Sequence, residues 1–128
     1  MKKSIAVLSS LALATCAFAV PASSFASKKN SCVTLYEHIN FKGRHLTFCS
    51  NDSTLVNNKD SHLQFGKKNW NDVASSAKVS SGDGVVLYEH INYKGHKWKL
   101  KPGKYADFTK KKLGNGSWND VVSSLRIR

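Results

Sequence analysis

Two seven-residue segments place a compact set of hard oxygen atoms in single loops: Trp70-Asn71-Asp72-Val73-Ala74-Ser75-Ser76 and Trp118-Asn119-Asp120-Val121-Val122-Ser123-Ser124. In each, an Asn-Asp pair and a Ser-Ser pair flank two apolar residues. Carboxylate, amide and hydroxyl oxygens in one loop are the mixture calcium accepts, because the ion takes about six to eight hard oxygen ligands, carbonyls and water included. The same residue types also make ordinary turns, in which Asn, Asp and Ser side chains satisfy nearby backbone groups. A single segment would be read as a turn. Two, at matching places of a duplicated chain, favour the ion. Each loop carries few formal charges within a basic chain, so affinity is expected to be modest, with dissociation constants of about 10⁻⁵ to 10⁻³ M.

Enzymatic chemistry finds little to work with. No nucleophile elbow, paired glycosidase carboxylates or His-rich metal motif occurs. His38 and His90 occupy equivalent places in the two copies, which points to a shared structural role, and His45, His62 and His96 are scattered. The chain is read as a non-enzyme.

The elements that must position the two loops come from an internal duplication. Val33-Thr-Leu-Tyr-Glu-His-Ile-Asn-Phe-Lys-Gly43 returns as Val85-Val-Leu-Tyr-Glu-His-Ile-Asn-Tyr-Lys-Gly95, an offset of 52, whereas the Trp-Asn-Asp-Val segments are offset by 48. The stretch between them is therefore four residues shorter in the second copy. Gly82-Asp83-Gly84 is the natural seam. Two copies are too few for a solenoid, so one pseudo-symmetric globule is expected.

The periodicity is that of β structure. Val33–Leu35 and Val85–Leu87 are β-branched and apolar, and Arg44–Phe48 and His96–Lys101 alternate polar with apolar. Trp98 and Leu100 then share one face, with Lys97, Lys99 and Lys101 outward. Val79 and Leu125–Ile127 read as closing strands, and Asp107–Leu113 as a short helical turn. The link between the first two strands of each copy is too long for a two-residue turn, and Gly43 and Gly95 supply positive φ. Cys32 precedes the first strand and Cys49 follows the second, so a disulfide between them would staple the hairpin base; Gly84 and Lys101 hold the equivalent places in copy two. Free or metal-binding thiols are the alternative, but no His or Cys lies nearby at zinc-ligand spacing.

Tyr-Glu-x-x-x-(Phe/Tyr)-x-Gly, followed some 30 residues later by a Ser-containing loop, resembles the Greek key motif of the βγ-crystallin superfamily. Asn71–Ser76 and Asn119–Ser124 match the calcium-binding signature (Asn/Asp)-(Asn/Asp)-x-x-(Ser/Thr)-Ser of its microbial members. The resemblance implies an all-β sandwich of two Greek key motifs with about eight strands, motif one over 32–80 and motif two over 84–128. It also implies two calcium sites built jointly. Asp72 and Asp120 would give side-chain oxygens, and Asn71 and Asn119 backbone carbonyls. Ser75 and Ser123 would give hydroxyls across to the partner's ion, and Glu37 and Glu89 carbonyls from the folded hairpins. Ser76 and Ser124 would be structural, bonded back to the hairpin loop.

Lys2 and Lys3, an apolar run from Ile5 to Phe18 and the small residues around Ser24-Phe25-Ala26 have the order of a secretory leader, with the cut placed after Ala26. Residues 27–128 would then form the working domain, secreted or periplasmic. A membrane anchor needs about 20 apolar residues, and Ser9, Ser10 and Thr15 interrupt this run. Lipid attachment at Cys16 is a minor alternative, since Thr15 is a poor neighbour for it. Export suits the disulfide, because the thiols meet an oxidising compartment.

Without Lys2 and Lys3 the balance is 18 basic against 8 acidic residues, a net charge of +10. That favours anionic cell-surface polymers or polysaccharides as partners. Lys97, Lys99, Lys101, Lys104, Lys110, Lys111 and Lys112 crowd the second copy beside Trp98 and Tyr105. They make a basic effector or inhibitor, such as a protease inhibitor or an antimicrobial binding chitin or cell wall, the alternative function. A solvated strand face is the plainer explanation of the run. Nucleic acid is not expected after export, and the domain is expected to be a monomer.

Overall fold

The computed structural model describes residues 30–128. The proposed leader, its cut and Cys16 lie outside the described residues. Among those described there is no α-helix; nine strands and four short 3₁₀ turns make up the regular structure.

Each copy opens with a folded hairpin. In the first, β1 (Val33–His38) alternates buried and half-buried residues along its length, which turns Val33, Leu35 and Glu37 inward. It pairs antiparallel with β2 (Lys42–Phe48), Val33 facing Phe48 and Tyr36 facing His45, and the register shifts between Tyr36 and His38 so that Glu37 is skipped. In the second, β4 (Val85–His90) and β5 (Lys94–Leu100) repeat this, with the shift at Glu89.

The turn between these strands explains the motif residue by residue. Asn40 and Phe41, like Asn92 and Tyr93, take φ values between 59° and 62°. An aromatic residue there carries a conformational cost of about 1–2 kcal/mol. Part of the return is ring packing: Phe41 lies edge-on to Tyr36 and Tyr93 to Tyr88, both at 5.6 Å. Gly43 follows at φ 80°, where a Cβ would stand 2.6 Å from His38 Cδ2 and 3.0 Å from Glu37 Oε1. At Gly95 the same contacts would be 2.5 Å to His90 and 2.9 Å to Glu89.

Each sheet takes one element from the other copy. One sheet runs β2-β1-β3-β6, so that β6 (Gly103–Tyr105), from copy two, pairs with β3 (Ser76–Val79) of copy one. The other runs β5-β4-β9, and its β9 (Ser124–Ile127) pairs with Asp52 of copy one through a bridge at Leu125. A small hairpin, β7 (Lys112–Leu113) and β8 (Gly116–Ser117), precedes the second Trp-Asn-Asp-Val segment.

The two sheets share one core, in which Val33, Leu35 and Ala77 from one side meet Val85, Leu87, Leu100 and Leu125 from the other. Trp70 and Trp118, the first residues of the paired segments, are 1% and 2% exposed, so each loop hangs from an indole anchored in that core. Cys32 and Cys49 flank the Val33–Phe48 pair and form a disulfide, with Cα atoms 4.3 Å apart.

The strands extend further than the apolar runs alone indicate: β1 and β4 each continue through Glu and His to the turn. Strands β6, β7 and β8 carry no apolar alternation and were not legible. Within Asp107–Leu113 the helical turn is Phe108–Lys110, capped by Asp107 Oδ1, which accepts from Thr109 N at 2.9 Å.

Candidate metal centre

The two Asn-Asp-x-x-Ser-Ser loops cross-bond. Ser123 Oγ donates to Asp72 Oδ1 at 3.0 Å, and Ser75 Oγ donates to Asp120 Oδ1 at 3.2 Å. The backbones do the same, Asp72 N donating to the carbonyl of Val122 and Asp120 N to that of Ala74, both at 3.0 Å. Asp72 and Asp120 sit at φ 58° and 56°, a conformation in which Asp is tolerated better than most residues.

The hairpins are tied in from the opposite side. Ser75 N donates to the Tyr36 carbonyl at 2.9 Å, and Ser76 Oγ donates to the His38 carbonyl at 2.6 Å while accepting from Phe41 N at 3.0 Å. These bonds bracket Glu37, the residue the β1–β2 register skips. Ser123 N to Tyr88, Ser124 Oγ to His90 and Tyr93 N to Ser124 Oγ repeat the arrangement around Glu89. One oxygen of each glutamate carboxylate turns to its own hairpin: Glu37 Oε1 accepts from Arg44 N at 3.2 Å, and Glu89 Oε1 from His96 N at 3.1 Å. His96 Nδ1 lies 2.9 Å from the same Glu89 oxygen, and this ring together with the His96 amide holds the carboxyl below its ordinary range.

Glu37, Ser75, Asn119 and Asp120 line one cleft of about 350 Å³. Asp72 and Ser123 meet in the reciprocal place, with Asn71 preceding Asp72 and Glu89 bracketed above Ser123. Desolvation raises the Asp120 carboxyl above its usual range, against the Ser75 hydroxyl and the Lys67 ammonium, which both pull it down; the neighbouring Asp72 charge adds to the rise.

Whether this set suits calcium can be judged from its donors. Among the described residues no three His, Cys, Asp or Glu side chains stand together as a metal cluster, so an ion here would draw on carbonyl, amide and hydroxyl oxygens as well as one carboxylate. Asn71 Oδ1 and Asn119 Oδ1 are buried and find no hydrogen-bond donor in the protein. A buried acceptor left unpaired costs about 1–3 kcal/mol. It recurs at the same position of both loops, so it is a property of the motif and not an accident of one. Oxygen-rich, weakly charged and short of donors, both loops fit a hard cation.

The basic residues are spread out. Lys97, Lys99 and Lys101 are exposed on or beside β5, whereas Lys104 lies on β6 in the other sheet, opposite Lys78. Lys110, Lys111 and Lys112 pass from the 3₁₀ turn into β7, and Lys111 Nζ sits 5.6 Å from the centre of the Trp98 ring. The arrangement is a dispersed basic surface over both larger sheets and the β7–β8 hairpin.

One residue at the site was not anticipated. Lys67 Nζ donates to the Asp72 carbonyl at 2.9 Å and lines the Glu37–Asp120 cleft. The sequence signal for it was the four-residue difference in spacing between the copies, which says that one loop is longer but not where it goes.

The beta/gamma crystallin family model matches residues 32–127. The epidermal differentiation-specific protein of Cynops pyrrhogaster is 37% identical over 95 residues, which span 74% of this chain and 23% of that protein. Gamma-crystallin-1 of Xenopus laevis is 34% identical over 95 residues, spanning 74% of this chain and 45% of its own length. The chain thus matches less than half the length of either relative. Among solved structures, a betagamma-crystallin from an archaeon superposes with a TM-score of 0.58 at 31% identity, covering 77% of this chain and 98% of that one. With the duplicated hairpins, the elements exchanged between the sheets and the crossed serine loops, these matches establish that the chain belongs to the beta/gamma crystallin family.

Proposed function

We propose that this protein is an exported, non-enzymatic calcium binder in which the ion stabilises the fold. The observation that carries the reading is the pair of buried Asn71 and Asn119 Oδ1 atoms without donors, each in a loop already cross-bonded to the other copy. One site would draw on Glu37, Asn119, Asp120 and Ser75, and the other on Glu89, Asn71, Asp72 and Ser123. Bound calcium supplies positive charge between oxygens of both copies. The chain's own residues supply the rest: the serine hydroxyls orient the carboxylates, and the Ser76 and Ser124 bonds hold the hairpin carbonyls of Glu37 and Glu89 in place.

A ligand of the folded state must stabilise it, by about 2.7 kcal/mol at one hundred times its dissociation constant. Calorimetric calcium titration of the purified protein, beside Asp72→Ala and Asp120→Ala, tests the proposal. The expected result is a saturable signal in the 10⁻⁵ to 10⁻³ M range, about the extracellular class of sites, and a higher melting temperature with calcium. Absence of both at millimolar calcium rejects it.

A further inference from the structure

The two loops share their motif but not their surroundings. Between the bridge partners Lys59 and Asn69 the chain runs through nine residues, 60–68, whereas between Lys112 and Ser117 it runs through four, 113–116. The longer loop folds back over the first site. Gln64 N donates to Glu37 Oε2, and Gln64 Oε1 lies 2.9 Å from His38 Nε2. A tight turn follows, in which Lys67 N donates to the Gln64 carbonyl at 3.2 Å while Phe65 and Gly66 take φ 58° and 76°. The turn delivers Lys67 to the cleft, where its Nζ donates to the Asp72 carbonyl at 2.9 Å and its side chain shares the lining with Asp120. Aligned on Asn69 and Ser117, the residue of copy two that corresponds to Lys67 is Asn115, which is exposed and uncharged.

We propose that Lys67 is a tethered cation of the first site, its ammonium anchored on the Asp72 carbonyl at the wall of the cleft that Glu37, Ser75, Asn119 and Asp120 also line. This inference rests on the calcium reading above and adds to it that the two sites are unequal. The site of Glu89, Asn71, Asp72 and Ser123 fills first. That of Glu37, Asn119, Asp120 and Ser75 fills weakly, because the incoming ion must displace or sit beside a like charge in a partly desolvated cleft. The ammonium in turn gives the ion-free first loop a share of the electrostatic support that calcium gives, so the fold relies less on calcium there.

Calcium titration of the full chain, wild type against Lys67→Gln and Lys67→Arg, tests this, with the calcium-free melt recorded for each to show that it folds. The wild type is expected to give two events at least tenfold apart. Lys67→Gln should tighten the weaker event tenfold or more and leave the tighter one in place, while Lys67→Arg keeps the inequality. Asp120→Asn should remove the weaker event selectively. Two equal events in the wild type, or a weak event unmoved by Lys67→Gln in a folded variant, overturn the assignment to Lys67 and leave the calcium reading intact. No event in either the wild type or Lys67→Gln overturns the calcium reading and this inference with it.

Discussion

Ser123 donates its hydroxyl to Asp72, 51 residues earlier in the chain and in the other copy, at 3.0 Å. The bond from Ser75 to Asp120 returns the contact across the pseudo-symmetry axis. Neither loop is complete within its own copy. The carboxylate of one is oriented by the hydroxyl of the other, so the unit that could hold an ion is the pair.

Such reciprocity makes the two residues energetically coupled. Ser123→Ala is expected to lower stability without calcium by about 1.5 kcal/mol, the value of a hydrogen bond to a charged group. In a double-mutant cycle with Asp72→Asn the interaction energy should exceed about 0.5 kcal/mol. Urea denaturation of the four proteins measures it, and strict additivity would show that the bond contributes nothing.

Two glycines separate the cost of crowding from that of backbone conformation. Gly43→Ala places a Cβ at 2.6 Å from His38 Cδ2 at φ 80°, whereas Gly66→Ala, at φ 76°, meets nothing within 4 Å. Gly66→Ala should cost about 1 kcal/mol, the left-handed penalty alone. Gly43→Ala should cost more, up to about 3 kcal/mol, and should disturb the His38–Gln64 contact. Thermal melts of both variants check the order.

The Cys32–Cys49 bond closes a loop of 17 residues. By the loop-entropy relation its removal is expected to lower stability by about 3 kcal/mol. The Cys32→Ala/Cys49→Ala protein, unfolded in urea beside the oxidised wild type, gives the number. The loss should appear in the midpoint and be unaffected by calcium, since the disulfide lies at the hairpin base.

Acid sensitivity has identifiable sources. The backbone of His62 and the Arg44 guanidinium hold the Asp60 carboxyl below its ordinary value, and the Thr109 hydroxyl and amide do so for Asp107. Glu89 is lowered by His96. A carboxyl with a depressed folded value contributes stability above its unfolded pKa and loses it as pH falls through the folded one. Stability should therefore decline below about pH 4. The decline should be shallower in Asp107→Ala and Asp60→Asn, as urea midpoints at pH 7 and pH 3 would show.

The sequence carried the duplication, the hairpins and the paired loops, because each depends on residues whose types are constrained locally: glycine where a Cβ would strike the preceding His, aromatics that pack back on tyrosine, serine that returns to the hairpin carbonyl. Contacts fixed only by the tertiary fold were not visible. Gly103–Tyr105 has no alternation to mark it as β6, since it is an edge strand with two exposed residues of three. Asp52 shows no sign of its partner Leu125, 73 residues away. Lys67 reads as one more basic residue until the loop around it is folded.

The crossing of β6 and of the Asp52 bridge also determines how the chain can be divided. Cutting at the Gly82–Gly84 seam would not release two finished halves, because the first would lose β6 from its sheet and the second the Asp52 bridge to Leu125. Either fragment alone would expose an unpaired edge, which is an invitation to join another chain. Two identical halves could satisfy that edge by the same exchange, in the manner of a two-fold dimer. A single backbone here carries the geometry of a two-chain assembly, with the join between the chains made permanent.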